Sequence, residues 1–285
     1  MFNYFVKRPQ VITIALLILC TTIEAKKSSF KIVPAKNTSY TTVIFDVGDV
    51  LVTTSSKSKA SLAAKSIASN PFTLVTYVYY QSALKDEFFK ELQKIPALSK
   101  KPMYNQGKRM PQIMADWMIE IRPSIDIYND VVQSIQSSKR SSMTKHVLTR
   151  IAQLTFIPQD LANSQKVIEP MKKLVKELKK KGYKTYVLSN FSKDGFYALK
   201  RKHYDLFKLF DGIVISGEEK MGKPDLEFYK VLLKRYHLNP QKCIFIDDEP
   251  YNIQAAQTLG IYGIVRTSDE AVFKQLHKIG VLKHS

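Results

Sequence analysis

Four short stretches carry side chains that could do chemistry together. Val43-Ile44-Phe45 is a β-branched and aromatic run that stops at Asp46 and the turn Val47-Gly48-Asp49. Tyr186-Val187-Leu188 runs into Ser189-Asn190. Ile213-Val214-Ile215 runs into Ser216-Gly217 and then Gly222-Lys223-Pro224, and Ile244-Phe245-Ile246 into Asp247-Asp248-Glu249. A short apolar run ended by a polar turn reads as a buried parallel strand. Ligands of open α/β sheets bind outside the carboxyl ends of such strands. The assembled set is a carboxylate, a hydroxyl, an ammonium and a pair of carboxylates. That inventory suits transfer of a phosphoryl group to a carboxylate, assisted by a divalent cation. Each stretch alone has a plainer reading. Asp46 and Ser189-Asn190 serve equally as turn residues, Lys223-Pro224 as a helix start, and Asp247-Asp248 as a helix cap favoured by the dipole. Only their joint placement overturns those readings.

The elements that must position these groups follow from hydrophobic period. From about residue 167 strands alternate with helices, the signature of parallel α/β units. Strands are expected at 185–188, 212–215, 243–246 and 262–265, with helices over 193–202, 226–236 and 252–259 between them. Val167, Ile168, Met171, Leu174, Val175 and Leu178 share one helical face, Lys172, Lys173, Lys176, Lys179 and Lys180 lie off it, and Gly182 closes the helix. Residues 55–164 show helical periodicity instead, with helices expected over 61–69, 86–92, 110–121, 125–135 and 143–156. Residues 73–80 are rich in β-branched and aromatic types, so their period is ambiguous. Tyr77, Tyr79, Tyr80, Phe88, Phe89 and Trp117 read as the core of a helical bundle rather than a ligand box. Asn252 reads as a cap or brace of the last loop.

Residues 1–25 read as an export signal. Lys7 and Arg8 precede an apolar run over 11–20 that is short for a membrane span, and Ala25 is a cleavage candidate. The expectation is a protein exported to the periplasm or secreted, with no stable membrane span after cleavage; an N-terminally anchored protein is the alternative. Residues 26–41, rich in Lys, Ser and Thr, read as a linker. Asn37-Thr38-Ser39 and Asn190-Phe191-Ser192 fit a glycosylation sequon, and a glycan on the second would block the proposed site.

With 285 residues and 45% hydrophobic content the chain can bury a sizeable core. The net charge of +19 is largely lysine and reads as a solvated basic surface. No compact arginine-rich patch, RNA-binding signature or zinc-ligand spacing is present, so no specific nucleic acid partner is expected. Cys20 and Cys243 fall in the N-terminal run and in a core strand, so they do not read as a disulfide pair.

In order and spacing, Phe45-Asp46-Val47-Gly48-Asp49-Val50, Leu188-Ser189-Asn190, Lys223-Pro224 and Ile246-Asp247-Asp248 resemble the four motifs of the haloacid-dehalogenase-like (HAD) hydrolases. The resemblance covers residues 42–54 and about 165–266. It implies an α/β fold, a parallel Rossmann-like core sheet over 42–54 and 165–285. The helical stretch 55–164 is similar to the cap domain of the subfamily whose cap follows the first motif. By the same resemblance, Asp46 would be the nucleophile that forms an aspartyl-phosphate. Ser189, with the backbone or amide of Asn190, would hold the phosphoryl oxygens, and Lys223 would pair with Asp46 and the phosphate. Asp248 would be the main magnesium carboxylate, joined by Asp46, Asp247 and the Gly48 backbone carbonyl. Hard oxygen ligands around a phosphate fit Mg²⁺. The implied function is Mg²⁺-dependent hydrolysis of a small phosphorylated, sugar-phosphate-like metabolite.

One position departs from the family pattern. Phosphatases of the family usually carry a second Asp two residues after the nucleophile, as acid and base; here Gly48 stands there. Glycine also permits backbone conformations closed to a side chain. Asp49 follows and reads as a turn residue tolerant of positive φ. The departure leaves room for a catalytically weak protein that binds phosphorylated ligands. A 2-haloacid dehalogenase fits less well, because that branch resembles an aromatic at this position.

Overall fold

The computed structural model describes residues 39–54, 81–100, 102–105 and 107–282, all within one compact unit. The stretch 1–25 that reads as an export signal, Asn37 and Thr38 of the first sequon, and the stretches 61–69 and 73–80 lie outside the described residues. In chain order the strands are β1 Thr42–Phe45, β2 Val52–Thr54, β3 Tyr104–Asn105, β4 Lys108–Arg109, β5 Gln165–Val167, β6 Lys184–Ser189, β7 Gly212–Ile215, β8 Cys243–Asp247 and β9 Tyr262–Val265. The described helices are α1 Gln81–Lys94, α2 Gln112–Met118, α3 Ser124–Ser137, α4 Ser142–Phe156, α5 Pro158–Ser164, α6 Glu169–Lys180, α7 Lys193–Lys202, α8 Tyr204–Phe207, α9 Ser216–Glu219, α10 Leu226–Arg235, α11 Pro250–Thr258 and α12 Asp269–Lys278.

The five expected strands form one parallel sheet in the order β7-β6-β1-β8-β9, with helices packed around it. β1 is central, and Val43, Ile44 and Phe45 are buried because both faces of the strand are covered. Its register decides the site. Phe45 stands level with Val187 on one side and Ile246 on the other, so Asp46 emerges beside Asp247 and one position short of Ser189. The Asp46 N–H continues the ladder to the Ile246 carbonyl at 2.9 Å.

The helix before β6 buries Met171, Leu174, Val175 and Leu178 as its period predicts. It begins later than expected. Val167 belongs to β5 and pairs with Val52, and Ile168 is the residue before the helix, because Pro170 pre-sets the first turn and supplies no N–H. At the other end Gly182 takes φ +84°, and the Tyr183 N–H closes onto the Leu178 carbonyl at 3.0 Å.

Between β2 and β5 lies the helical insert. Phe88, Leu92, Ile113, Trp117, Val131, Leu148 and Phe156 make its core, and the rings of Trp117 and Phe156 meet edge-on at 5.2 Å. The helix expected over 110–121 is shorter, spanning Gln112–Met118. Glu120 takes a left-handed φ of +54°, and Pro123 follows, so the chain cannot continue as a helix. Before that helix the antiparallel pair β3–β4 forms a small hairpin that residue period did not reveal. No helix among the described residues is long and apolar enough to cross a membrane.

Candidate active site

The turn after β1 aims Asp46 and then leaves the sheet. The N–H groups of Leu51 and Val52 both close on the Val47 carbonyl, at 2.9 and 3.0 Å. Asp49 is the left-handed residue of this turn, with φ +47°. Its carboxylate accepts from the Thr53 hydroxyl at 2.7 Å and its carbonyl from Arg266 at 2.5 Å, so Asp49 serves the turn. Gly48 differs from the sequence expectation. Its φ lies outside the left-handed range, and a Cβ built there meets nothing within 4 Å. Neither conformation nor crowding requires glycine.

Lys223 reaches the centre from the loop after β7. It is 1% exposed, and its Nζ donates to Asp46 Oδ1 and to Asp247 Oδ2, each at 2.7 Å. Burial alone would lower its pKa, but the Asp247 and Asp46 carboxylates outweigh burial and raise it, so the ammonium is kept. Asn190 holds the loop in place. Its amide oxygen accepts from the Lys223 N–H and its amide nitrogen donates to the Lys223 carbonyl, both at 2.8 Å. The Asn190 amide thus braces the Lys223 backbone while keeping its second N–H outside these two bonds. Gly222 is required by close approach, since a Cβ there would lie 2.6 Å from Asn190 Oδ1 and 2.8 Å from the Met103 methyl.

Asp247 ends β8 and is fully buried. It accepts from the Glu249 N–H at 2.8 Å and, through both oxygens, from the Asn252 amide at 3.1 Å. Asn252 is thereby the brace of Asp247, and Tyr229 bonds the Asn252 carbonyl at 2.8 Å. Asp248 is half-buried beside it. Each of Asp46, Asp247 and Asp248 offers one carboxylate oxygen, and the three oxygens lie within 4.8 Å of one another. Burial, then the Asp46 and Asp247 charges, push the Asp248 carboxyl up to about 8. Burial pushes Asp247 up to about 6 against the pull of Lys223. Three crowded carboxylates against one bonded ammonium are short of positive charge. An all-oxygen donor set with that deficit fits a divalent cation of the Mg²⁺ type. Ser189, at the end of β6, is 1% exposed in the same sheet edge.

Sequence reasoning missed how the insert meets this centre. The Gly107 N–H of the β3–β4 hairpin donates to Glu249 Oε2 at 2.9 Å, and Tyr104 stacks on Tyr251 with centroids 4.3 Å apart. Farther along, the Lys193 N–H donates to Glu120 Oε2 at 3.1 Å and Ser124 Oγ to Asp194 Oδ1 at 2.9 Å. Gly107, which takes φ +73°, was the available signal of a tight turn. With two residues per strand, the hairpin is too short for a period to show.

The sequence profile of the haloacid dehalogenase-like hydrolases matches residues 40–260, and the chain belongs to that family. Among curated proteins it is 38% identical over 109 residues to a sesquiterpene phosphatase of Aspergillus oryzae, covering 38% of this chain and 55% of that protein. It is 36% identical over 77 residues to a phosphorylated carbohydrates phosphatase of Thermotoga maritima, covering 26% of this chain and 36% of that one. A HAD-family enzyme of Bacteroides thetaiotaomicron, crystallised with magnesium and inorganic phosphate, shares the fold. It has a TM-score of 0.51 and 16% identity, over 82% of this chain and all of that one.

Proposed function

We propose that this hydrolase cleaves phosphate monoesters of a small metabolite through an aspartyl-phosphate, with Mg²⁺. The observation that carries the reading is Lys223 Nζ, bonded to both Asp46 and Asp247, with Asp248 crowded against them. Asp46 attacks phosphorus, an Oδ–P bond forms, and the bond to the leaving oxygen breaks. Water then attacks the same phosphorus, restoring the carboxylate and releasing phosphate. Lys223 holds Asp46 in line and offsets charge on the phosphoryl oxygens as the transition state forms. Ser189 and the backbone or amide of Asn190 bind those oxygens. Asp46, Asp248, the Gly48 carbonyl and, assisting them, Asp247 would hold Mg²⁺, which supplies charge neutralisation at the phosphoryl group. In this reading the stretch 55–164 serves as the cap domain. Of the relatives, the Thermotoga enzyme supports a sugar phosphate and the Aspergillus enzyme a terpenoid one. We also keep export by the N-terminal segment as part of this reading, tested by sequencing the mature amino terminus.

The test is hydrolysis of 4-nitrophenyl phosphate with Mg²⁺ and with a chelator. Turnover is expected only with the metal. Asp46→Asn should lower it by roughly 10⁴ or more and abolish trapping of beryllofluoride, a phosphoryl mimic. Gly48, which offers no acid or base, favours a second reading in which the protein binds phosphorylated ligands and scarcely turns them over. Beryllofluoride trapping without turnover would select it.

A further inference from the structure

Arg266 belongs to none of the four motifs, yet it ties the turn after β1 to the far edge of the sheet. It follows β9, and its N–H donates to the Asp247 carbonyl at 2.8 Å. Its Nη1 donates to the Asp49 carbonyl at 2.5 Å, across 217 positions of chain. Strand order puts β8 between β9 and β1, so this bond crosses the end of the strand that leads to Asp248. The other edge of the guanidinium is anchored. Nε and Nη2 both donate to Asp269 Oδ1, at 3.2 and 2.7 Å. Asp269 is the first residue of α12, where the helix dipole favours a carboxylate. With 15% of its side chain exposed, Arg266 is a fixed strut rather than a loose surface cation.

What the strut holds is the peptide next to the reacting centre. Asp49 takes φ +47°, a conformation that a residue other than glycine keeps when its surroundings hold it there. Two bonds do so, from Arg266 to the carbonyl and from Thr53 to the carboxylate. With both ends of Asp49 held, the Gly48–Asp49 peptide is held with them. That peptide carries the Gly48 carbonyl, which the proposed function assigns to Mg²⁺. Gly48 cannot supply the stiffness itself, because glycine has the most backbone freedom to lose. The turn lies within electrostatic reach of the metal carboxylate, since the Asp49 charge is among those that raise the Asp248 pKa.

We infer that Arg266 is a positioning residue that sets the Gly48 carbonyl for Mg²⁺ and so governs metal affinity. The inference rests on the phosphatase reading and adds to it a residue from the opposite end of the chain.

The experiment reads Mg²⁺ affinity without substrate, from the rise of melting temperature with MgCl₂ concentration, each variant against its own metal-free melt. Arg266→Ala should weaken Mg²⁺ binding roughly tenfold, the lower end of what partners behind a metal ligand supply. The Mg²⁺ concentration for half-maximal hydrolysis of 4-nitrophenyl phosphate should rise by a like factor. Arg266→Gln, too short to reach both Asp269 and Asp49, should behave alike and serves if the alanine variant does not fold. In either background Gly48→Ala should restore much of the lost affinity, because a methyl there meets nothing within 4 Å and stiffens the turn from within. An arginine with only a structural role would lower the metal-free melting temperature and leave the affinity where it was. Unchanged affinity in the folded Arg266 variants therefore overturns the inference and leaves the phosphatase reading standing. So does a loss of affinity that Gly48→Ala leaves untouched. A wild type that neither binds Mg²⁺ nor hydrolyses the ester removes the phosphatase reading and the inference with it.

Discussion

The helical insert and the parallel sheet both bury carboxylates, and they treat them in opposite ways. In the insert, Glu91 is fully buried and accepts from Lys94 and Ser134, each at 2.7 Å, and from Arg140. Burial works against its charge, but the bonds from Lys94, Ser134 and Arg140 win, and its pKa lies below the usual carboxylate range. Asp116, also fully buried, accepts the N–H groups of Leu98 and Ser99 at 2.6 and 2.7 Å and so pins the loop after α1. At the sheet edge Asp46, Asp247 and Asp248 outnumber the bonded ammonium, and two of the three carry raised pKa values. Donors that match a buried carboxylate make it part of the architecture. A surplus of carboxylates is a place prepared for a cation.

The largest effect that could sharpen this contrast is at Gly48. The position is open and its backbone is ordinary, so Gly48→Asp should fold. It should raise turnover of alkyl phosphates more than of aryl phosphates, by some part of the roughly 10²–10⁴ that general acid catalysis supplies. A folded variant that gains nothing on either class would mean the leaving-group proton comes from elsewhere.

Removing the ammonium is the next test. Lys223→Met should cost the metal-free protein about 3–5 kcal/mol in denaturant unfolding, because it strands two buried carboxylates. Added Mg²⁺ should recover part of the loss. A loss under about 1 kcal/mol would break the claim that the sheet edge is starved of positive charge.

Deleting one acid from each region should then give opposite signs. Glu91→Gln should destabilise by about 1–3 kcal/mol, since Arg140, left with Glu87, and Lys94 each lose a charged acceptor. Asp248→Asn should stabilise the metal-free protein by about 0.5–2 kcal/mol while abolishing the stabilisation by Mg²⁺. Equal signs in thermal melts would end the comparison.

The gentlest change per step is a pH trend. In the metal-free fold Asp248 keeps its proton up to about pH 8, whereas the unfolded chain releases it near the ordinary carboxylate value. The folded state binds more protons in between, so this group's contribution to stability falls as pH rises from about 4 to about 8, by at most about 1.4 kcal/mol per unit. Glu91 has the reverse sign: its contribution is full above the ordinary value and is lost as pH falls through its lowered one. Mg²⁺ should therefore raise the melting temperature more at pH 8 than at pH 6. A metal effect independent of pH would contradict the raised carboxyls.

Much of the fold was legible in the residues, and less of the site was. β7 and β9 span the expected residues, and β1, β6 and β8 run only slightly longer, since a buried strand between turns is written in a few adjacent side chains. The start of α6 was misplaced because Val167 continues the apolar stripe of the helix while pairing as a strand with Val52. The β3–β4 hairpin escaped notice because two-residue strands carry no period.

What the sequence by itself determined is the set of strand ends and the groups each presents: Asp46, Ser189, Lys223 and the Asp247-Asp248 pair. Alternation, β-branching and turn residues are local properties, so they survive in one dimension. Only the tertiary structure decided which of two adjacent aspartates turns inward. Asp247 does, because Lys223, Asn252 and the Glu249 N–H converge on it, and Asp248 is left at the half-exposed mouth. It likewise tied the Asn190 amide to Lys223, 33 positions away, and brought Gly107 to Glu249 across 142. A buried polar group takes whichever donors reach it in space, and that reach is set by strand order and loop packing rather than by neighbours in the chain.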